Sequence, residues 1–410
     1  MIVRTCFKCT TCGHPHIVRI GLGQEEYQSH RFPCVNCGED MAVGIHVSYA
    51  EVSTRPEAVE NAELIREVPG ATVVNVDANF IVPEEQRHLD MAFPRIHQSF
   101  TMARRAEELG TLVETASIPE RLRDSRPFRR PDFHGEWKLL KKAWSLYRRG
   151  KFRLADKQVE IGSREYYAAD PLSDVPDWLW RFTLFLGQPM SEPLFLAVFA
   201  QIERAMRQPG FGAFIQEYQT HLAPERSARY FDLMKEYFSG YHEFGQVYFH
   251  VVRELEIPTE HVASSADFNA VRMFYGNAYE IFTSSVDVLA YVNNLLMGRP
   301  FDEFTALTRA DYLKLDKSAR FGPFSINAPF QAICRERDNQ LRNASHHGGI
   351  RFCPETQTLT FRVGKGGTGH EQHLPYVNYL ERCTKLFLQS MILLRAELLM
   401  CKIAGASFPI

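Results

Sequence analysis

The sequence predicts a mainly α protein that opens with a small β segment organised around cysteines and closes with a helical bundle. Three observations predict this. Five of the nine cysteines fall within the first 37 residues. From about Phe100 onward, apolar residues recur at spacings of three and four, the period of an amphipathic helix. The last 150 or so residues carry the clearest helix punctuation. A chain of 410 residues is longer than one typical core, so two or three domains are expected. The net charge of -2 makes no general demand for nucleic acid, and any basic surface must be local. Met1-Ile-Val-Arg-Thr-Cys has no leader-like pattern. The most apolar stretches, Trp178–Leu186 and Pro193–Ala200, fall short of the roughly 20 residues of a spanning helix. No membrane partner is expected, and the expected location is a reducing cytoplasm.

The cysteines read as metal ligands, because a secreted disulfide framework would spread them along the chain. Cys9-Thr-Thr-Cys12-Gly13 and Cys34-Val-Asn-Cys37-Gly38 are two knuckles separated by 21 residues. In each, a tight turn aims two thiolates at one metal, and the glycine that follows permits a positive φ. Four thiolates leave no open coordination position, so Cys9, Cys12, Cys34 and Cys37 suit a structural zinc ion and not a hydrolytic one. Cys6 is a rival, since Cys6-Phe-Lys-Cys9 has the same spacing without the glycine. His14 and His16 stand beside the site, but four thiolates already satisfy the metal. The pattern resembles a zinc ribbon over residues 1–50.

Residues 51–69, with Pro56 and Pro69, suit a linker or short helix, and the expected linker region with a short β segment spans 51–100. Ala71–Asp77 and Asn79–Val82 read as strand, ended by Pro83. A helical middle region is expected over 101–258, with helices at Trp137–Leu146, Leu154–Tyr167, Leu194–Met206 and Arg226–Leu255. Residues 117–135 are rich in arginine and proline. They suit a solvated loop, with contact to RNA as the alternative.

In the region 259–410, one long helix is expected from Ala266 to Met297. Its polar stripe of Asn277, Glu280, Ser284, Asp287, Tyr291 and Asn294 is either a solvated face or the border of a site. A second helix starts at Asn327 as N-cap, with Pro329 in its first turn, and stops at Gly348-Gly349. At about 100° per residue, Phe330, Ile333, Cys334 and Ala344 lie within about 80° of Leu341 and form its core face. Arg337 intrudes on that face and needs a partner or a route to water. Arg342, Asn343, His346 and His347 point off the core. They are either solvent-facing residues at a helix C-terminus or half of a site that a second surface completes. Gly364-Lys-Gly-Gly-Thr-Gly369 lacks the Gly-Lys-Ser/Thr ending of a P-loop and reads as a flexible loop.

Arg342-Asn343-Ala344-Ser345-His346-His347, set in Asp338–Ile350, resembles the Arg-Asn-x-x-x-His signature of HEPN ribonucleases, which are small helical bundles. A hairpin-like segment (Ile350–Phe352 and Thr358–Val363) and a last helix, Pro375–Met400, extend the resemblance over roughly residues 260–403. The resemblance implies metal-independent RNA endonuclease activity, in a toxin or antiviral defence effector. It also implies a homodimer in which two motifs face each other, RNA as substrate, and an antitoxin or defence-system partner. Arg342, Asn343 and His347 are carried over as catalytic residues. On the wheel, however, His346 lies about 40° from Arg342 and His347 about 140°, so His346 stays open as the alternative. Glu280 or Asp287 is the acidic group expected beside the motif. The residue types suit the chemistry: histidine moves protons near neutral pH, and a guanidinium holds a phosphate. The competing class is a non-catalytic bundle that binds nucleic acid or a protein, and a weaker third is a ribbon-bearing regulator of transcription or translation.

Overall fold

In the computed structural model, the residues described are 2–22, 26–48, 53–76, 81–86, 132–265, 267–347, 349–364 and 368–407. Alternating apolar residues near the N-terminus build two small sheets that share a core of Phe7, Val18, Ile20, Phe32, Met41 and Val43 among others. Strands β1 (Ile2–Cys9), β2 (Pro15–Gly21), β3 (Tyr27–Pro33), β4 (Asp40–Ser48), β5 (Ser53–Glu60), β6 (Ala62–Ile65) and β7 (Thr72–Asn75) follow one another. The order is β6-β1-β2-β7 in one sheet and β3-β4-β5 in the other. β2 and β7 pair in parallel and the rest antiparallel.

The segment 51–69, expected as a linker, therefore supplies two strands. Its residues alternate poorly because β5 and β6 are edge strands with little buried surface, so the sequence carries no strand periodicity there. β7 lies where a strand was expected, and the short β8 (Val82–Pro83) pairs with β9 (His261–Val262). Most of the arginine- and proline-rich segment lies outside the described residues.

The helical part begins at α1 (Phe133–Arg148), with Asp132 as its cap. There follow α2 (Phe152–Tyr166), α3 (Val175–Gly187), α4 (Ser191–Met206), α5 (Phe211–Glu217), α6 (Ala223–Ser239) and α7 (Tyr241–Val252), with a π turn at Tyr218–Leu222. The helix expected over Arg226–Leu255 is split at Gly240, where Val271 packs so close that an added Cβ would come within 2.6 Å of it.

The helix expected over Ala266–Met297 is three pieces: α8 (Phe268–Val271), α9 (Phe274–Ser285) and α10 (Asp287–Leu296). At both breaks, side chains from other elements take the backbone carbonyls. Ser345 and Tyr379 donate to the Arg272 carbonyl at 2.6 and 2.9 Å, and Arg226 donates to that of Ser285 at 2.8 Å. The polar stripe is not a solvated face: Asp287, Tyr291 and Asn294 are buried and Asn277, Glu280 and Ser284 half-buried.

After α11 (Arg309–Lys314), the helix expected from Asn327 is likewise two: α12 (Ala328–Ala332) and α13 (Asn339–His346). Asn327 does cap the first, but the backbone of Glu336 pairs sideways with the Gln389 amide, at 2.8 and 3.1 Å. Asp338 then caps α13 through the amides of Gln340 and Leu341. Arg337 sits in this break, exposed and lying over the Phe321 ring, so it does not intrude on a helical core face. The expected hairpin is a three-stranded sheet, β10 (Arg351–Cys353), β11 (Thr358–Arg362) and β12 (Glu371–Pro375). It leads into α14 (Tyr376–Ile403), which is apolar on nearly all sides and buried through most of its length.

One hydrophobic cluster runs from Phe133 to Cys401, and α14 packs on α3 and α4 as well as on α9. The helices on either side of the expected boundary at 258/259 thus share one core, because a helix buried all round needs partners on every side.

The β-rich part touches the helices at β3, where Arg31 bridges to Asp267. Beside it His30 is buried, and among the described residues neither of its ring nitrogens has a hydrogen-bond partner. Burial pushes its imidazole down to about 4, and the His242 charge adds to the effect. An unfolded chain takes up a proton near 6.5 that the folded one refuses until about 4. The contribution of His30 is therefore intact above 6.5 and is lost as pH falls through that window, at about 1.4 kcal/mol per pH unit. His30→Leu should flatten the dependence of the urea midpoint on pH between those limits. An unchanged slope would mean that His30 is hydrated and titrates normally.

Candidate functional site

The two cysteine knuckles have the same local build. Gly13 N–H donates to the Cys9 carbonyl and Gly38 N–H to the Cys34 carbonyl, both at 2.9 Å. Each glycine takes positive φ, 76° and 77°, a region costly for any side chain. The turns converge, and the sulfurs of Cys9, Cys12, Cys34 and Cys37 lie within 4.8 Å of one another. Cys9 and Cys37 are 3.9 Å apart, Cys12 and Cys34 3.6 Å. Four sulfurs bound at about 2.3 Å in a tetrahedron would stand about 3.8 Å from one another. The donor set therefore fits a tetrahedral, thiolate-loving ion with no position left for substrate. Cys6 is buried on β1, away from this group.

Two neighbours brace the knuckles. The His16 ring nitrogen accepts from Val35 N–H at 3.3 Å, while His14 bonds Thr72 at 2.9 Å, so neither histidine is among the ligands. Asn61, in the turn between β5 and β6 at φ 49°, accepts from the Thr10 hydroxyl and from the Thr11 amide and hydroxyl at 2.7–3.1 Å. Asn61 escaped the sequence reading because it lies in the supposed linker. An asparagine, which tolerates left-handed backbone, was the available signal.

The second site is a seam between α9 and α13. Arg342 and His346 are four apart on α13, and Gly276 and Glu280 four apart on α9, so the pairs face each other. Arg342 forms an ion pair with Glu280 and donates to Asn343 Oδ1 at 2.6 Å. The His346 ring lies against Gly276, where an added Cβ would come within 2.7 Å of it. His347, the C-cap of α13, is exposed. The structure thus brings Arg342, Asn343 and His346 together and leaves His347 facing solvent. Asp287 lies elsewhere, paired with Arg226.

Two residues missed from sequence, Lys317 and Tyr279, join the seam together with Ser284. Lys317 approaches Glu280 at 3.6 Å and bonds Ser284, and burial, aided by the Arg320 charge, pulls its ammonium downward. Burial holds the Tyr279 hydroxyl up at about 12, against the pull of Arg342. Among the described residues the Tyr279 hydroxyl, Arg342 Nε and His346 Nε2 are buried without a hydrogen-bond partner, a group of unsatisfied polar atoms that a purely structural seam would not favour. Ser284 belonged to the expected polar stripe. Tyr279 stands inside α9 beside Glu280, where it reads as one more apolar-face aromatic, and Lys317 reaches the seam from the turn at Lys317–Ala319, which carries no periodic signal.

The N-terminus of α13 is anchored independently. Arg382 of α14 holds Asp338 at 3.0 Å and Glu336 at 3.1 Å, and Tyr275 donates to Glu336 at 2.5 Å. Among the described residues, no helix is long and apolar enough to cross a membrane. Comparison of the chain with protein-family models, with curated proteins and with solved structures finds no match in any of the three.

Proposed function

We propose that this chain is a metal-independent RNA endonuclease of the HEPN kind, acting as a toxin or defence effector, with the Arg342 seam as its catalytic half-site and zinc as the ion of the four-cysteine centre. The observation that carries the reading is the seam itself: Arg342 and His346 side by side, with Asn343 and Glu280 against the guanidinium.

In this reading an RNA phosphate displaces Glu280 from Arg342, whose paired N–H groups then hold the non-bridging oxygens as charge develops. A histidine takes the proton of the ribose 2′-OH. The oxygen attacks the adjacent phosphorus, and the 5′-oxygen leaves with a proton from a second acid. The products are a 2′,3′-cyclic phosphate and a 5′-hydroxyl. The second acid comes from the facing copy, so a homodimer with adjacent α13 helices is required.

The test is cleavage of single-stranded RNA by the purified dimer in chelator, with DNA of the same sequence uncut because it lacks the nucleophile. Arg342→Ala should lower the rate about 10²–10³-fold and loss of the base about 10²–10⁴-fold. His346→Ala and His347→Ala separate the two histidines, and Gly276→Val displaces the His346 ring without touching His347. Full activity in the Arg342→Ala protein, or a strictly monomeric active particle, would sink the reading.

A second reading, a non-catalytic bundle that binds a partner, is favoured by one observation: Glu280 already balances both Arg342 and Lys317 within the chain. It predicts no cleavage by any of these proteins.

A further inference from the structure

Several surface cations here are matched by an acidic neighbour. Lys8 pairs with Glu63, Arg31 with Glu60, Arg207 with Glu203 and Lys385 with Glu381. The turn between α1 and α2 instead concentrates them. From Tyr147 to Lys157 the chain reads Tyr-Arg-Arg-Gly-Lys-Phe-Arg-Leu-Ala-Asp-Lys, with Arg148, Arg149, Lys151, Arg153 and Lys157 against the single carboxylate of Asp156. All five cations are exposed, and among the described residues none forms an ion pair.

Local stability does not account for this. Arg148 and Arg149 at the end of α1 suit its dipole, but Lys151 and Arg153 open α2, where positive charge is unfavourable. Lys151 is its N-cap with no side-chain cap hydrogen bond, and the first turn holds no acid. A sequence serving only the helix would place Asp, Ser or Glu there.

In the middle of these charges stands an aromatic ring. Phe152 is 53% exposed, and its ring meets that of Tyr147 edge-on at 4.9 Å. Tyr147 packs on the main core, so the Phe152 ring is braced from behind while much of it remains open. Cations spaced along a turn around a braced, open ring are the two elements that hold an unpaired polynucleotide, phosphates on the charges and a base on the ring. A duplex hides its base faces and would leave the ring unused. An anionic membrane would need a broad apolar face; here only Phe152 and Leu154 stand open, at 53% and 48%, while Ala155 and Val159 of α2 are turned into the core.

We propose that the α1–α2 turn, Tyr147–Lys157, is a docking surface for single-stranded nucleic acid, with Phe152 as its stacking platform. The assignment does not rest on the nuclease reading, since α1 and α2 contribute nothing to the Arg342 seam.

Binding is measured by fluorescence anisotropy on the full chain. The probes are labelled oligothymidylate of about twelve nucleotides with the wild type, and oligouridylate with Arg342→Ala so that it stays intact. The quadruple variant R148E/R149E/K151E/R153E should bind at least tenfold more weakly. It should also flatten the salt dependence of log K by about 2–3, at about 0.7 per lost phosphate contact. Phe152→Ala should weaken binding about fivefold or more while leaving that slope intact. Both variants alter exposed side chains and should keep the wild-type circular dichroism. The proposal is overturned if neither oligonucleotide binds at low salt or if both variants bind as the wild type does. It is also overturned if the variants lose binding only to phosphatidylserine vesicles. Oligonucleotide binding without cleavage would leave this surface standing and remove the nuclease; cleavage with unaltered binding in both variants would do the reverse.

Discussion

Replacing Cys34 by Ser, or stripping the metal with a strong chelator, is expected to unfold the N-terminal sheets and leave the helices intact. The core that joins the two sheets is a dozen or so side chains, and Cys9 and Cys34 are two of them. A core of that size stabilises little by itself. Binding of a structural zinc ion is worth on the order of 10–16 kcal/mol to small domains and is realised as folding energy. The helical core is a separate cluster that contains none of the four cysteines. Hydrogen exchange should therefore rise in β1 to β4 and stay slow in α9 and α14. Elemental analysis should find one zinc per chain in the wild type. Metal-free wild-type protein with protected strands would refute both the ion and its role.

Arg226→Met should cost about 3–5 kcal/mol, among the largest effects of any single substitution. The guanidinium is fully enclosed, bonds Glu397 and the Ser285 carbonyl at 2.8 Å each, and pairs with Asp287. Tyr218 and Tyr230 donate to the same Glu397 at 2.5 and 2.8 Å. Burial first, and the Glu397 charge second, push both phenols well above their usual range, so they remain donors. Removing the cation leaves two buried carboxylates, Glu397 and Asp287, in a low-dielectric site without a counter-ion. Urea melts read the loss directly. The triple variant Arg226→Met/Glu397→Gln/Asp287→Asn should recover a good part of it, because the cost lies in the uncompensated charges. A triple variant as unstable as the single one would show that the loss comes from packing instead.

Cysteine spacing was enough to identify the four-cysteine cluster, and apolar periodicity located much of the helical layout. Cysteine spacing and the trailing glycines are local, and the turns they dictate close within five residues, so Gly13 and Gly38 could be read without knowing the fold. The N-cap at Asn327 was legible for the same reason, since capping needs no distant partner.

Where regular elements stop was set by contacts distant in the chain. The breaks after Val271, after Ser285 and around Glu336 arise because Tyr379, Ser345, Arg226 and Gln389 offer the backbone an alternative hydrogen-bond partner. These donors and acceptors lie between 53 and 108 residues away in the chain. No local pattern encodes them. The helical wheel already placed His346, not His347, beside Arg342. That both face α9 follows from Gly276 and Glu280, and their matching four-residue spacing becomes meaningful only once the two helices are packed together.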